Sequence, residues 1–351
     1  MRRSRSARLT LGLETSCDET SAALVERDRV LSNCTASSLR EHARYGGVVP
    51  EIASRAHLTA LLPTLDLALR RAKRRLSDVD EIAVTAGPGL LGSLLVGVSA
   101  AKALALALRV PLVGVDHVLA HAYSARLCDP APAFPYLALV VSGGHTTIIR
   151  MDSPARVSVL GRTLDDASGE AFDKVAKILG LGYPGGPAID RLSRGQAPDD
   201  RMFSRPYLSE GSLDFSFSGL KTAVYYKVQD ALKTSGRLTP KTKRAMAAGF
   251  QEAVCDVLVK KALRACARER LSRLAVGGGV SANTRLRAKL DEAARRSDIR
   301  LYWPSMAYCQ DNAAMIAAYG AALRRAGRRD TLELGAYSDF SRSPLLSGAR
   351  S

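Results

Sequence analysis

The chain has 351 residues, of which 46% are hydrophobic and 24% are charged. This length and composition are typical of a globular protein with about two domains, and they exclude a collagen-like, low-complexity or mainly disordered chain. The charge is unusual, because 51 Lys and Arg against 34 Asp and Glu give a formal net charge of +17. Such an excess favours a polyanionic partner such as nucleic acid. Aromatic residues are only 5% of the chain, which favours phosphate contacts over base stacking.

The sequence also allows predictions about the cellular compartment and about membrane-spanning segments. The six cysteines show no C-x-x-C spacing, so we predict reduced thiols in a cytosol-like compartment. The most apolar long segment, Ser93–Val115, contains two cations and Pro111, so we predict a core helix followed by a strand and not a membrane span. Residues 1–8 are basic and lack acids, as transit peptides do. Because a strand is predicted from residue 9, we interpret them as a short solvated tail.

In chain order, the first predicted element is a strand over residues 9–13. A polar turn follows it, and a second strand is predicted over 22–25, making a hairpin. Residues 136–150 repeat this pattern, with an apolar strand, the turn Ser142–His145 and another apolar strand. The repetition predicts a duplicated architecture.

The remaining predicted elements alternate between helices and strands. They are helices over 51–75, from 93 onwards, over 166–179, 241–269 and 311–326, with strands over 81–85 and 274–276. Residues 195–220 are predicted to be irregular, and the last dozen residues a tail. Alternating strands and helices, with glycine-rich loops after strands, predict the α/β class and ligand sites at strand ends.

Two of the five histidines, His117 and His121, are four positions apart. On a helix this spacing puts both imidazoles on one face, as a metal site requires, but two surface histidines without a ligand would fit equally. Asp311 is a candidate third ligand, although an Asp just before an apolar helix is also a common N-cap. A zinc peptidase would carry H-E-x-x-H; Val118 follows His117 here, which disfavours a metallopeptidase.

Three glycine-rich loops follow predicted strands. Gly277–Gly279, with Ser281 and Asn283 beyond it, would let a backbone approach a nucleotide closely. Val141–Gly144 could bind phosphate through backbone N–H groups. Because the chain has no P-loop sequence, these loops favour a different type of nucleotide cleft. Gly87–Gly92 matches G-x-G-x-x-G, but it lies outside a first βα unit and no acidic residue follows about 20 positions later, which disfavours a Rossmann dehydrogenase.

Carboxylates stand out at two further places. Glu14, Asp18 and Glu19 crowd one predicted turn, where they could bind a metal–phosphate or a polar substrate group, or cap the hairpin. Asp173 lies on a predicted helix with Lys177 four positions later. That spacing favours an ion pair on a solvated helix face.

Together these segments resemble the TsaD family, the tRNA N6-adenosine threonylcarbamoyltransferases once described as glycoprotein endopeptidases. The resemblance covers about residues 9–340 and rests on long motifs in a fixed order. These are GLETSCDET (12–20), YGGVVPEIASRAH (45–57), TAGPGLLGSLLVG (85–97), VSGGHT (141–146), GEAFDKVAKILGLGYPGGP (169–187), DFSFSGLKT (214–222), GGGVSAN (277–283) and DNAAMIA (311–317). The family has the actin-like ATPase fold of sugar kinases, Hsp70 and actin. The resemblance therefore implies an α/β protein with two lobes from a duplicated core.

The activity that the resemblance implies is the transfer of threonylcarbamoyl from threonylcarbamoyl-AMP to N6 of adenosine 37. The acceptors are tRNAs that read codons beginning with adenine, and the products are threonylcarbamoyladenosine (t6A) and AMP. A regulatory ATPase of the same fold that transfers no group is the main alternative, and a metallopeptidase is the third.

The resemblance also implies site residues and a cofactor. One divalent metal ion per subunit, iron or zinc, would be held by His117, His121 and Asp311. Threonylcarbamoyl-AMP or ATP would be contacted by Val140, Val141, Ser142, Gly143, Gly144, Asp173, Gly186, Asp190 and Asn283. Supporting roles are suggested for Glu14, Asp18 and His145, the last facing the metal site. No catalytic residue is assigned, and Asp116 stands where many members have histidine or asparagine.

The domain organisation follows from the same resemblance. We predict a basic tail over 1–8, an N-terminal lobe over 9–115 together with about 312–340, a C-terminal lobe over 116–311, and a C-terminal tail over 341–351. Basic segments in several helices would contact tRNA phosphates. A bacterial member would work with a TsaB-type paralogue and a TsaE-type ATPase, without a membrane, in the cytoplasm; an organellar member would work alone in the mitochondrial or plastid matrix.

Overall fold

The structure, a computed structural model, describes residues 8–347. Its strands are β1 (Leu9–Glu14), β2 (Glu19–Glu26), β3 (Arg29–Ser37), β4 (Glu81–Gly87), β5 (Leu112–Asp116), β6 (Tyr136–Val141), β7 (Thr146–Met151), β8 (Val157–Arg162), β9 (Arg273–Gly277) and β10 (Arg300–Tyr302). Its α-helices are α1 (Leu39–Ala43), α2 (Pro50–Ala72), α3 (Leu91–Leu108), α4 (His117–Tyr123), α5 (Ser168–Ile178), α6 (Gly185–Ser193), α7 (Ser218–Ser235), α8 (Pro240–Glu269), α9 (Thr284–Arg296), α10 (Met306–Cys309), α11 (Ala313–Arg325) and α12 (Pro344–Ser347).

The strands form two five-stranded sheets with the same topology. The first has the order β3-β2-β1-β4-β5, and the second has the order β8-β7-β6-β9-β10. In the first sheet, the central strand β1 pairs antiparallel with β2 and parallel with β4. In the second sheet, the central strand β6 pairs antiparallel with β7 and parallel with β9. The two hairpins predicted from the sequence are therefore confirmed, and so is the duplicated core.

Burial explains why the central strands are continuous apolar segments. All six residues of β1 and all six of β6 are buried, as expected for strands covered on both faces. Helix α11 packs closely on the first sheet, and Gly12 of β1 permits this. A side chain at Gly12 would clash with the carbonyl oxygen of Ala313 and with Ala317.

The chain divides into two compact units. Unit 1 comprises residues up to 131, 152–157 and from 304 onwards, and unit 2 comprises 132–151 and 158–303. These boundaries differ from the predicted lobes, in which 116–311 formed one body. Helix α4 belongs to unit 1 because it packs on α11, where the rings of Tyr123 and Tyr319 stack 4.9 Å apart.

Several elements were not foreseen. The structure contains strands β3 and β8 and helices α6 and α7 in segments that were unassigned or predicted to be irregular from the sequence. Helix α3 is long and apolar enough to cross a membrane by length and composition alone, with a third of its residues buried. Leu94, Val98 and Ala101 of α3 face the core of unit 1, as a core helix requires, whereas Leu91 and Leu95 are exposed.

The C-terminal segment is packed, contrary to the predicted tail over 341–351. The backbone N–H of Asp330 donates to Leu112, and that of Tyr337 donates to Ala86, so this segment lies along β5 and β4. Ser343 is fully buried, and α12 follows it. Residues 1–7 of the predicted basic tail and residues 348–351 lie outside the described residues.

Candidate functional site

The first candidate site is built on α4, which begins where β5 ends. Asp116 caps the helix, because its Oδ1 accepts a hydrogen bond from the backbone N–H of Leu119 at 3.0 Å. Its Oδ2 accepts one from the Tyr337 hydroxyl at 2.8 Å, and burial raises the pKa of Asp116 to about 6. His117 and His121 are both buried on this helix, so the interpretation as two surface histidines is wrong.

Asp311 completes a group of three with these histidines. Its Oδ1 lies 3.0 Å from His121 Nε2 and 3.3 Å from His117 Nε2. The residue that caps α11 is Asn312, whose side chain accepts from the Met315 N–H. The N-cap interpretation of Asp311 is therefore wrong, and its carboxylate is directed to the imidazoles.

The chemistry of this donor set fits a divalent transition metal. Zn–N and Zn–O bonds are about 2.0–2.2 Å long, so adjacent ligand atoms of one tetrahedral ion lie roughly 3.3–3.6 Å apart. The His117–Asp311 separation of 3.3 Å lies at the lower end of that range, and the His121–Asp311 separation of 3.0 Å is slightly shorter. Three protein ligands leave further coordination positions for substrate or water, the arrangement typical of a catalytic metal site.

Glu14 lies directly behind His117. Its Oε2 is 2.9 Å from His117 Nδ1 and accepts a hydrogen bond from the Thr85 hydroxyl at 2.6 Å, while its Oε1 accepts from the Ser16 N–H at 2.5 Å. A carboxylate on the second ring nitrogen fixes the tautomer of a metal-binding histidine and directs Nε2 to the metal. His121 lacks this support, because its Nδ1 has no hydrogen-bond partner in residues 8–347.

The electrostatics of the group favour a cation. Burial lowers the pKa of His117, but Asp311 and Glu14 outweigh it and raise this pKa well above the usual value. Burial alone would raise the pKa of Asp311, yet the two histidines hold it well below the usual range. Burial, followed by repulsion from Asp311, raises the pKa of Glu19 to about 8. Crowded carboxylates of this kind are stabilised when a metal ion binds.

The turn between β1 and β2 is held by two further buried histidines. His57 lies 2.7 Å from the Thr20 hydroxyl through Nδ1 and 3.0 Å from the Cys17 carbonyl oxygen through Nε2. Nε2 of His42 lies 3.1 Å from the Ser38 hydroxyl, which in turn donates to the Asp18 carbonyl oxygen at 2.9 Å. Asp18, predicted as a supporting residue, is thus placed in this turn, and burial and Asp311 raise its pKa.

The Gly87–Gly92 motif supports the same turn instead of binding a dinucleotide. The N–H of Leu90 donates to the Ser16 carbonyl at 2.8 Å, and the Thr15 hydroxyl donates to the Ser93 carbonyl at 2.9 Å. The start of α3 is therefore attached to the turn that carries Glu14. Sequence reasoning missed the part played by Thr85, although a polar residue near a strand end is the signal that could have found it.

We expect Glu14→Gln to weaken metal binding by roughly 10–100-fold, the usual cost of losing an outer-shell partner. The neutral amide can no longer favour the His117 tautomer in which Nδ1 carries the proton. Competition of the folded protein with a chelator for Zn²⁺ measures the affinity. Glu51→Gln is the control, since it changes an exposed carboxylate of unit 1 that pairs only with Arg55. Equal Zn²⁺ affinity in Glu14→Gln and the wild type would show that Glu14 does not orient the ligand.

The second candidate site lies in unit 2, at the tight turn between β6 and β7. Val140 and Val141 are buried strand residues. The Ser142 N–H donates to the His145 carbonyl at 2.8 Å, and the Ser142 hydroxyl accepts from the His145 N–H at 3.1 Å. The N–H of Ser142 therefore donates within the turn, and contact of Ser142 with a phosphate stays a prediction. That His145 faces the metal stays a prediction.

Gly143 and Gly144 form the exposed tip of this turn. A Cβ on either would meet no atom within 4 Å, and neither N–H makes a hydrogen bond in the described part of the chain. Their backbones are therefore accessible to a ligand, and two adjacent free N–H groups suit an anion. The Gly277–Gly279 loop packs beside them, because a side chain at Gly278 (φ +88°) would clash with Val141.

The other predicted nucleotide contacts hold neighbouring helices together. Asp173 Oδ1 accepts from the Gly185 N–H at 2.7 Å, which fixes the start of α6 next to Gly186. A side chain at Gly186 would meet nothing within 4 Å. The helix-face interpretation of Asp173 is thus incomplete, because its carboxylate caps a second helix. Contact of Asp173 and Gly186 with a nucleotide stays a prediction.

Asp190 and Asn283 connect α6 to the start of α9. Asp190 Oδ1 accepts from the Thr284 hydroxyl at 2.7 Å. Asn283 caps α9 through the Leu286 N–H at 2.9 Å, and its Nδ2 donates to Gln251 at 2.8 Å. Both side chains therefore make hydrogen bonds that hold the fold together, and their contact with an adenylate stays a prediction.

Comparison with known proteins agrees with this architecture. Over 92% of the chain, the fold matches HypF of T. kodakarensis (TM-score 0.61, 14% identity, 48% of that chain). It also matches (R)-2-hydroxyglutaryl-CoA dehydratase component A of Acidaminococcus fermentans (TM-score 0.52, 15% identity, all of that chain). Together with the repeated sheets, these likenesses define the class as a protein of the actin-like ATPase fold, here with a candidate two-histidine, one-carboxylate metal centre.

The family follows from sequence comparison. The family model described as TsaD, tRNA N6-adenosine threonylcarbamoyltransferase, matches residues 29–318. A curated protein of Syntrophotalea carbinolica named tRNA N6-adenosine threonylcarbamoyltransferase is 50% identical over 333 residues, covering 95% of this chain and 96% of the relative. The chain belongs to the tRNA N6-adenosine threonylcarbamoyltransferase family.

Proposed function

We propose that the protein transfers the threonylcarbamoyl group from threonylcarbamoyl-AMP to N6 of adenosine 37 in tRNAs that read codons beginning with adenine. The observation that carries the proposal is the buried His117–His121–Asp311 group with Glu14 behind it, in a chain of this family. The net charge of +17 suits a tRNA substrate.

In the reaction, the N6 amine attacks the carbonyl carbon of the mixed anhydride. A C–N bond forms, the C–O bond to the phosphate breaks, AMP leaves with the electron pair, and the amine loses a proton. Because AMP is a good leaving group, the protein has mainly to orient the reactants and stabilise charge. The N–H groups of Gly143 and Gly144 bind the phosphate of the adenylate. When the C–O bond breaks, its electron pair stays on this phosphate, so negative charge increases where these donors already lie.

The metal is Fe²⁺ or Zn²⁺, held by Nε2 of His117, Nε2 of His121 and the Asp311 carboxylate. When bound, such an ion supplies Lewis acidity for a carbonyl or carboxylate oxygen. Glu14 keeps the proton on Nδ1 of His117, so that Nε2 presents its lone pair.

We further propose that a TsaB-type paralogue docks on unit 1 and that a TsaE-type ATPase acts with the pair. Support comes from exposed apolar side chains on neighbouring helices. These are Leu58 and Leu62 of α2 and Leu91 and Leu95 of α3, each about half or more exposed. Helices α2 and α3 pack on each other, and several exposed large apolar side chains on packed helices are typical of a protein interface.

The decisive experiment supplies both substrates directly. Purified protein is incubated with unmodified tRNA that reads ACA and preformed threonylcarbamoyl-AMP, with and without the two partner proteins, and the digest is analysed for t6A by mass spectrometry. We expect product with the wild type and none with His121→Ala. No product from the wild type in either condition would instead favour the alternative, a regulatory ATPase that transfers no group.

We expect Gly144→Val to weaken binding of threonylcarbamoyl-AMP at least about tenfold, or ~1.4 kcal/mol, because the branched side chain fills the space at the turn. Folding should be unaffected, since a Cβ at this position meets no atom within 4 Å and its φ is not left-handed. Isothermal titration and thermal unfolding measure the two effects. Gly335→Val, an equally open glycine of unit 1, is the control. Unchanged affinity in Gly144→Val would refute phosphate binding at this turn.

A further inference from the structure

Residues 218–244 form a strongly basic surface of unit 2. They contain seven cations (Lys221, Lys227, Lys233, Arg237, Lys241, Lys243 and Arg244) against one acid, Asp230. Only Lys221 has an ion-pair partner in residues 8–347, Asp166 at 3.9 Å. The other six charges are therefore available to an external anion.

Two tyrosines project from the same surface. Tyr225 is 47% exposed and Tyr226 is 63% exposed, with ring centroids 5.8 Å apart. Leu220, Val224 and Val228 bury the opposite side of α7 in the core of unit 2. Large aromatic rings at this exposure, in a chain with 5% aromatic residues, offer accessible faces that the fold itself does not use.

Helix α7, which carries the two rings, is fixed at its start and along one side. The Asp165 carboxylate accepts from the Phe217 N–H at 2.8 Å and from the Ser218 hydroxyl at 2.7 Å. These bonds hold the first turn of α7, and the helix packs on α5, which carries Asp173. A helix that is already fixed loses no backbone entropy when its exposed face binds a ligand.

We propose that Tyr225 and Tyr226, with the surrounding cations, form a stacking platform for unpaired bases of the substrate RNA. Single-stranded nucleic acid is bound by aromatic faces that stack on bases and by cations that follow the phosphates, and α7 presents both. An acidic protein is the less suitable occupant, because Leu232 is the one large aliphatic side chain exposed between residues 218 and 244. The proposal deepens the proposed function and depends on it for the identity of the RNA.

The test uses the full-length protein and unmodified tRNA. Tyr225→Ala/Tyr226→Ala should raise the Kd and KM for tRNA at least about fivefold, the loss expected for one stacked base, without changing the affinity for threonylcarbamoyl-AMP or kcat. Tyr225→Phe/Tyr226→Phe should behave as the wild type, since the ring faces remain. Tyr45→Ala removes a 64% exposed tyrosine of unit 1 and is the matched control.

The contribution of the cations is tested separately, through the salt dependence of tRNA binding. Lys227→Ala/Lys233→Ala should reduce the slope of log K against log salt by about 1.4, from roughly 0.7 per single-strand phosphate contact. An unchanged Kd for tRNA in the tyrosine-to-alanine variant overturns the platform, and so does a defect confined to stimulation by an added protein partner. A wild type that binds tRNA through the tyrosines but forms no t6A would refute the proposed function while leaving the platform standing.

Discussion

Asp311→Ala is expected to abolish metal binding and t6A formation together. The substitution removes the carboxylate that faces both His117 and His121. It leaves Glu14 as the carboxylate partner of His117 and leaves His121 without one among the described residues. The loss should exceed the roughly 10–100-fold effect of an outer-shell change, because a ligand itself is removed. Metal content by mass spectrometry and single-turnover t6A formation are the two measurements.

The matched control for this variant is Asp66→Ala. Asp66 is an exposed carboxylate of unit 1, paired only with Arg70 on the same helix, so metal content and transfer should remain at wild-type values. An Asp311→Ala protein that forms t6A without bound metal would separate the reaction from the metal centre and contradict the proposed role of the three ligands.

Glu252→Gln is expected to destabilise unit 2 by about 1.5–3 kcal/mol, the contribution of hydrogen bonds to a charged group. Glu252 is 3% exposed. It receives two hydrogen bonds from Arg285, at 2.6 and 2.8 Å, and an ion pair from Lys289. This group attaches α9, which begins beside Asn283, to α8. Chemical denaturation measures the free energy of unfolding.

A surface pair on α9, the helix that carries Arg285 and Lys289, provides the comparison. Glu292 pairs with Arg296 at 3.1 Å, with both side chains more than half exposed, so Glu292→Gln should cost less than about 1 kcal/mol. Similar destabilisation in the two variants would show that burial does not strengthen the Glu252 pair.

The contribution of Glu252 should also depend on pH. Burial raises its pKa, but Arg285 and Lys289 outweigh burial and lower it below the usual value. A carboxylate with a lowered folded-state pKa stabilises the fold above its unfolded pKa of about 4.3, and this stabilisation is lost as pH falls through the folded value. The wild type and Glu252→Gln should therefore differ at pH 7, and the difference should shrink as the pH falls below about 4.3 towards the lowered folded-state pKa.

The parts of the site that depend on local spacing could be predicted from the sequence. The i, i+4 histidines required only a helix, and the long motifs pointed to Asp311 as the third candidate ligand. The contact of Glu14 with His117 could not be derived in this way, because it depends on β1 and β5 lying in the same sheet on either side of β4. The positions of the strands in the sequence do not fix this strand order.

The nucleotide loops show a different limit. The sequence predicts turns at strand ends, but it does not show which N–H groups form hydrogen bonds within a turn. The Ser142 N–H, which we predicted as a phosphate donor, donates to the His145 carbonyl oxygen. Gly278 was expected to allow a ligand to approach, yet it allows Val141 to approach. Helix α7 was likewise not predicted, because only Leu220, Val224 and Val228 form its buried face. The basic residues and the two exposed tyrosines between them hide the helical periodicity in the sequence.

The separation of the metal ligands along the chain has a consequence for biosynthesis. Asp311 follows His121 by 190 residues, and at about 5–20 residues per second the ribosome needs roughly 10–40 s to cover that distance. Nearly all of unit 2 emerges in this interval, whereas unit 1 waits for α11 to cover its sheet. A nascent chain released before Asp311 would therefore lack the third residue of the candidate metal centre, so this group of three side chains can form only late in synthesis.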